Sequence, residues 1–336
     1  MAASMGGMRV VAAPDKFRGT ASAAGIADAI AAAAAAVGWS CDPVPVADGG
    51  EGTLDALGGP NRTTTVRGPL GDPVEARWRL DGRLAIIEMS QASGLLLAGG
   101  AEGNDPIGAD THGTGQLIHA AVEAGARRIV VGVGGSATVD GGLGALRAMY
   151  PLQRYRAVEL HVACDVRTRF LDAAEVFGPQ KGASAAQIRL LTNRLARLAD
   201  VYEQDHGVDV RPLVGGGAAG GLAGGLAAIG ARLDDGFSLV AEELALDETI
   251  EGADLVITGE GFLDHESLNG KVVGGVAELA AALDVPVVAV VGDVLDAVDT
   301  DFEVVSLVDR FGEAQAMTET VACVEDVVRA VLAARS

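Results

Sequence analysis

Residues 126–142 read ARRIVVGVGGSATVDGG. A short β-branched run, RIVV, passes straight into eleven residues (132–142) that hold five glycines, two hydroxyl side chains and one carboxylate. A surface loop needs no such purity, and a packed core cannot be built from it. The run makes sense where something must come very close to the backbone. A helix expected over 111–125 precedes it. Helix, then strand, then glycine loop is one step of a parallel α/β alternation, which places function at the carboxyl ends of strands.

The same step recurs on both sides. RVVAAP reads as a strand running into DKFRGT, followed by a helix over 20–37 that Thr20 or Ser22 can cap. DPVPVADGG reads as a strand ending in a glycine–carboxylate loop, and EGTLDAL opens a helix. The texture changes over 62–90, where TTTVRG, PVEARWRL and RLAIIEMS are separated by LGD and DG turns, the pattern of antiparallel hairpins. A strand at 158–166 and an amphipathic helix at 184–204 follow. After the glycine-rich VGGGAAGGLAGGLAAIG, the alternation resumes through ADLVITGEG, GKVVGGVAELAAAL, PVVAVVGD and FEVVSLV. VEDVVRAVLAAR closes the chain as an amphipathic helix. The expectation is an α/β fold in two domains. Residues 1–60 and 235–336 form one α/β domain, and 61–234 form an inserted mixed α/β domain.

Composition narrows the function. A chain of 336 residues with 49% hydrophobic side chains and a mean hydropathy of +0.30 can bury a large core, and at this length two domains are the expectation. The Ala-rich run 26–37 is broken by Asp28 and is too weakly apolar to cross a bilayer. The leader MAASMGG lacks the charged and apolar regions of a secretion signal, and Met8 is an alternative start. Cys41, Cys164 and Cys323 are far apart and odd in number, so neither a disulfide framework nor a metal knuckle is expected, and the setting read from them is cytoplasmic. A net charge of −21 argues against nucleic acid and membrane surfaces as partners. It leaves room for a small phosphorylated ligand held by backbone N–H groups and a metal. The sequence is silent on oligomeric state.

Five glycine-rich loops share one design: PDKFRGT, ADGGEGT, GGSATVDGG, GGGAAGG and TGEGFLDHESLNGK. Successive N–H groups at such places form anion nests, and a following helix dipole adds to them. The carboxylates among them (Asp48, Glu51, Asp140, Glu260, Asp264) would repel a phosphate unless a divalent cation intervenes. Magnesium takes one or two carboxylates together with phosphate oxygens, so a magnesium nucleotide is the expected ligand. Any one of Asp48, Asp140 and Asp264 can equally be a helix cap. Lys181 and Lys271 are the cations best placed for phosphate oxygens. The five histidines show no ligand spacing. The chain has no GxxxxGK[ST] and no protein-kinase motif set, so a P-loop or protein-kinase site is excluded.

The ordered set APDKFRGT, ADGGEGT, GGSATVDGG, ACDV, FGPQKGA, GAAGG and TGEGxxDxxSxxGK resembles the bacterial glycerate kinase family, of the type that forms 2-phosphoglycerate. The resemblance continues through SLVDRFGEAQAM. It implies two α/β domains, one of them Rossmann-like with a mainly parallel sheet, a site in the cleft between them, and transfer of a phosphoryl group from ATP with Mg2+ to D-glycerate. Carried over by position, it implies catalytic roles for Asp48, Asp140, Asp165, Asp264 and Lys271. Cofactor contacts fall on Gly49, Gly50, Glu51, Gly134, Gly135, Ser136, Thr138, Lys181, Gly259 and Glu260, and metal contacts on Asp48, Asp140 and Asp264. Arg18, Lys181, Lys271 or another basic residue would take the substrate carboxylate. This chain departs from the family in two places. Several tens of residues before ACDV are reduced to YPLQRYRAVELH, and an asparagine–proline and glycine-rich turn after ACDV is replaced by RTRFLDAAEV. Arg154, Arg156, Arg167 and Arg169 crowd this region, which reads first as a solvated face and second as a place for the carboxylate anchor. A kinase for another small hydroxy acid and a nucleotide-binding pseudokinase are the rival readings.

Overall fold

The structure is a computed structural model and describes residues 7–17, 19–268, 270–295 and 298–335. The leader 1–6 and Arg18 therefore lie outside the described residues. The chain divides into two compact units, 1–48 with 237–336, and 49–236. The first boundary falls after Asp48 rather than near 60. The helix Thr53–Ala56 belongs with the inserted unit because Glu88 of that unit accepts hydrogen bonds from the Gly52 and Leu54 N–H groups at 2.8 and 2.9 Å.

Thirteen strands occur along the described chain. β1 (Arg9–Pro14) and β2 (Ser40–Pro43) open the first unit. β3 (Arg62–Arg67), β4 (Pro73–Asp81), β5 (Leu84–Glu88), β6 (Arg128–Gly132), β7 (Glu159–Cys164) and β8 (Arg232–Asp235) make the second. β9 (Leu255–Gly259), β10 (Phe262–Leu263), β11 (Val287–Val291), β12 (Asp293–Val294) and β13 (Glu303–Ser306) return to the first.

The first unit is a wholly parallel five-stranded sheet in the order β13-β11-β9-β1-β2. In β1, Val10, Val11, Ala12 and Ala13 are all fully buried. Such an unbroken apolar run marks a strand covered on both faces. The helices Ala23–Ala36 and Thr320–Ala333 supply one cover, through Ile26, Ile30, Val324 and Val328 against Val10, Ile257 and Val290. Val273 of the helix Val272–Ala282 packs with Ala289 and Val291 on the other side. Ser22, one of the two caps expected, accepts a hydrogen bond from Gly25 N–H at 3.1 Å and starts the first helix. Counted within this unit, the strand order is 2-1-3-4-5. Its topological switch point lies between β1 and β9, and ligands in doubly wound sheets bind at that point.

The second unit is a six-stranded mixed sheet in the order β3-β4-β5-β6-β7-β8. The hairpins read over 62–90 are present, with β3 and β5 antiparallel to β4. β5 to β8 run parallel in sequential order. Right-handed crossovers taken always in the same direction put their helices on one face. One large core forms there from Ile87, Val131 and Val162 of the sheet and Leu117, Leu146, Leu191 and Leu222 of the helices. The helix Ala185–His206 begins with a capping box between Ser184 and Gln187. β8 was not read in the sequence, because RLDD has no strand alternation and is held by pairing with His161–Cys164.

What approaches the glycine run 132–142 is other backbone of the same unit. A Cβ on Gly132 would stand 2.8 Å from Gly49 O, and one on Gly134 2.8 Å from Gly50 Cα. At the far end of the run, Gly141 and Gly142 lie against Gly221, Gly225 and Leu222, and a Cβ on Gly220 would stand 1.9 Å from Thr138 O. Ala219, Gly220 and Gly221 are consecutive left-handed residues that turn the chain into the helix ending at Ala228. Gly220→Ala combines a positive φ with a backbone clash and should lower stability by about 2 kcal/mol or more. Gly230→Ala, at φ +102° with open space around it, should cost only about 1 kcal/mol. Paired urea melts check the contrast.

Candidate functional site

The candidate residues gather at strand carboxyl ends in each unit. In the first unit, Asp15 follows β1 and its N–H bonds to Gly259 O at 2.8 Å, while Glu260 follows β9. Asp15 and Glu260 therefore stand at the two sides of the switch point. Gly259 itself is buried beside Val290. Burial, reinforced by the Asp15 charge, pushes the Glu260 carboxyl up to about 7 against a hydrogen bond from Ser267. Its Oε1 is buried with no hydrogen-bond partner among the described residues. Asp48 closes the extended segment that continues β2 alongside β1, where Val46 N–H bonds to Pro14 O. Asp264 sits in a tight turn. Burial would raise its carboxyl, but the Ser267 N–H at 2.9 Å and hydroxyl at 3.1 Å outweigh it and hold the group below the usual range. Lys271 Nζ lies 3.3 Å from Glu266 Oε2.

In the second unit, β6 ends at Gly132 and the chain turns outward. The N–H groups of Gly134, Gly135 and Ser136 have no hydrogen-bond partner among the described residues, and Gly135 is exposed at φ +70°. Three successive unpaired donors are the kind of group that can receive an anion. Leu95 N–H to Gly135 O at 2.8 Å and Ala137 N–H to Ser93 O at 2.9 Å clamp this loop on one side. Gly49 and Gly50 lie behind it, and Glu51 is exposed beside Gly135. Thr138 is fully buried, with its hydroxyl 3.5 Å from Ala219 O, so it supports the loop from within. Lys181 is also buried, 2% exposed. Its Nζ donates to Ser136 Oγ and Thr138 O, both at 2.7 Å, and lies 5.8 Å from the Phe177 ring centroid. Burial pulls this ammonium down to about 7, although the Asp140 charge favours it.

Asp140 is committed to the fold. Its carboxylate accepts from Thr111 N–H (2.9 Å), Thr111 Oγ1 (2.8 Å), Gly142 N–H (3.1 Å) and Gly144 N–H (3.0 Å). Burial raises the carboxyl against these donors. The capping alternative is the one its geometry follows, since Gly142 and Gly144 open the helix Leu143–Ala148. Asp165 is exposed just beyond β7, followed by exposed Arg167 and Arg169. Neither guanidinium has a partner among the described residues. Their backbone is fixed, because Thr168 O accepts from Gly217 N–H at 2.9 Å and Phe170 is fully buried. Arg154 and Arg156 precede β7 and so lie at the amino edge of the sheet, where Arg154 pairs with Glu123 at 3.5 Å. The four arginines thus divide between opposite edges.

Glu88 is the residue that sequence reasoning missed. It ends β5 on the same edge, is 7% exposed, and ties the 49–54 turn to the sheet through its two N–H bonds. Burial raises its carboxyl against those donors. A lone carboxylate closing the apolar run LAII was the available signal. Two of the five histidines have structural hydrogen-bond partners, His161 with Asp234 (2.7 Å) and His119 with the Tyr155 hydroxyl (2.8 Å). Burial raises Cys41 and Cys164 to about 11, so neither is a ready thiolate. Among the described residues, no helix is long and apolar enough to cross a membrane, and no three of His, Cys, Asp or Glu converge as a metal cage. A magnesium that keeps phosphate oxygens and waters needs no such cage. Asp15 with the partnerless Glu260 oxygen fits its preference for a few hard oxygen donors.

Glycine nests and carboxylates at the carboxyl ends of parallel strands define an α/β protein equipped for a small anionic ligand. The comparisons make the class specific. A profile of the glycerate kinase family matches residues 10–150 and 151–335, and the chain belongs to that family. The glycerate 2-kinase of Escherichia coli (strain K12) is 38% identical over 91% of this chain and 93% of its own. The glycerate kinase of Bacillus subtilis (strain 168) is 38% identical over 85% of each. A crystal structure provisionally described as glycerate kinase 2 from Salmonella typhimurium LT2 superimposes with a TM-score of 0.83 at 35% identity, covering 98% of this chain and 99% of its own. The two pieces of the family match meet at residue 150, where the sequence reads as shortened.

Removing the Asp140 carboxylate leaves three backbone N–H groups and a threonine hydroxyl without their acceptor. Asp140→Ala should therefore lower stability by about 3 kcal/mol or more, readable as a shifted urea midpoint. A wild-type midpoint would show that the carboxylate is spare.

Proposed function

We propose that this protein transfers the γ-phosphoryl group of ATP to glycerate, at the C2 hydroxyl. Family membership and the names of its relatives support the reaction class. The observation that carries the reading onto this chain is the run of three unpaired N–H donors, Gly134 to Ser136, with a buried lysine beneath it. A kinase reaction uses ATP, and a nest backed by a cation is suited to its phosphates. Phosphoryl transfer proceeds through a loose, charge-rich transition state, so positioning and electrostatics supply most of the rate.

In this reading Gly134, Gly135 and Ser136 hold phosphate oxygens, with Gly49, Gly50 and Glu51 fixing the loop from behind. Asp15 and Glu260 would hold Mg2+, with Asp48 and Asp264 on the same sheet edge. When bound, the ion would supply positive charge to neutralise the phosphate. Asp140, its oxygens engaged, takes no part in metal binding or proton transfer. Asp165 orients the acceptor hydroxyl and accepts its proton. Arg167 and Arg169, unpartnered and on a fixed backbone, receive the substrate carboxylate, a bidentate task suited to guanidinium. Lys271 remains a candidate for a further phosphate contact. The free, high-pKa cysteines fit a cytoplasmic enzyme.

A coupled assay with ATP and a panel of small hydroxy acids tests the proposal, with glycerate expected as the preferred acceptor. Turnover on a different acid alone would overturn the acceptor, and nucleotide binding without turnover would favour the pseudokinase. Phosphorus NMR of the product should show a resonance split by one proton, the C2 ester, rather than by two. The Arg167→Ala/Arg169→Ala pair should raise the KM for glycerate at least about tenfold and leave the KM for ATP near the wild-type value. An unchanged glycerate KM would place the anchor elsewhere.

A further inference from the structure

A lysine buried to 2% is rare unless its ammonium has fixed work to do. Lys181 stands in no ion pair closer than 4 Å among the described residues, and it spends its protons on two neutral oxygens of one loop. The carbonyl contact, Thr138 O, ties the loop down. The hydroxyl contact has a chemical consequence. An ammonium can only donate, so Ser136 Oγ must use a lone pair to accept from it, and the Ser136 proton is turned away from Lys181. Ser136 is 9% exposed and its backbone N–H is one of the three unpaired donors. No acceptor for its hydroxyl proton occurs among the described residues.

We propose that Lys181 is a positioning residue that acts through Ser136. It forces the serine hydroxyl to serve as a donor, and so completes an anion site of three N–H groups and one O–H. The ligand class is a phosphate group, and the proposal rests on the reading that this loop meets the phosphates of ATP. Lys181 itself does not touch the nucleotide, in contrast to the direct contact expected from the sequence. Its charge works from below, through a medium of low dielectric where it is little screened. The neighbouring Phe177 ring, 5.8 Å from Nζ, and the part-buried Asp140 carboxylate are the other groups that favour the charged form. An ammonium depressed by burial toward about 7 gains protonation when an anion arrives above it, so ligand and lysine charge reinforce one another.

A double-mutant cycle on the full-length protein separates this role from a merely structural one. The variants are Lys181→Met, which keeps length and apolar packing but has no donor, Ser136→Ala, and the two combined. Each single variant should raise the KM for ATP about tenfold or more with little change in the KM for glycerate. The double variant should be no worse than Lys181→Met alone, because without the ammonium the hydroxyl is no longer held as a donor and its removal costs nothing more. Additive losses in the cycle would overturn the proposal, as would equal rises in both KM values. If Lys181→Met does not fold, Ser136→Ala carries the test, and an unchanged KM for ATP in that variant refutes the idea. Wild-type protein inactive on glycerate would instead remove the functional reading on which the proposal stands.

Discussion

Backbone-to-backbone contact among three glycine segments is the constraint on which the second unit depends. Residues 49–50 lie on 132–134, and 220–225 lie on 138–142, at separations that leave no room for a Cβ. Each pair of segments in contact is separated by more than eighty residues at its closest pairs, Gly49 with Gly132 (83) and Thr138 with Gly220 (82). The contact therefore joins the entry to the unit, its second parallel crossover and its last helix around one strand end. Glycine loses more entropy on folding than any other residue, so a chain uses so much of it only where nothing else fits. The result is a loop of small residues whose N–H groups at Gly134, Gly135 and Ser136 have no partner among the described residues.

That loop resolves an electrostatic difficulty. A chain of net charge −21 must still attract a multiply charged anion. In the proposed reading it does so locally, with neutral dipoles in front and one buried ammonium behind, while its carboxylates are disposed of in different ways. Asp140 and Glu88 accept N–H groups and fasten the turns beside the loop. Asp264 is held by Ser267. Glu260, raised by burial and with one oxygen unsatisfied, retains capacity for a cation. Burial of the nitrogen and oxygen atoms thus sorts charges that composition alone cannot distinguish.

Much of the fold was legible because its signals are local. The β-branched run before each glycine loop, the LGD and DG turns over 62–90, and the cap at Ser22 each sit within a few residues of what they determine. The candidate loops were legible as a set for the same reason, since they follow strands. Their roles were less so, because a role depends on a partner far away in sequence. Asp140 looks like a free carboxylate until Thr111 meets it, and Lys181 looks solvated until the 136–138 loop covers it. Thr138 and Glu88 follow the same pattern. The arginines at 154, 156, 167 and 169 read as one cluster, yet a strand runs between the pairs and separates them to opposite sheet edges. The order 2-1-3-4-5 in the first unit also lay beyond reach, since strand order is decided by which crossovers pack.

The central claim is that the peptide groups of 134–136 bind the nucleotide. Hydrogen–deuterium exchange with and without a non-hydrolysable ATP analogue and magnesium tests it directly. The account predicts slowed exchange in peptides spanning 133–137, because the amides of Gly134, Gly135 and Ser136 have no partner among the described residues, and little change across the hairpin strands 62–81. Unaltered exchange over 133–137 at saturating analogue, with protection confined to another segment, would contradict it.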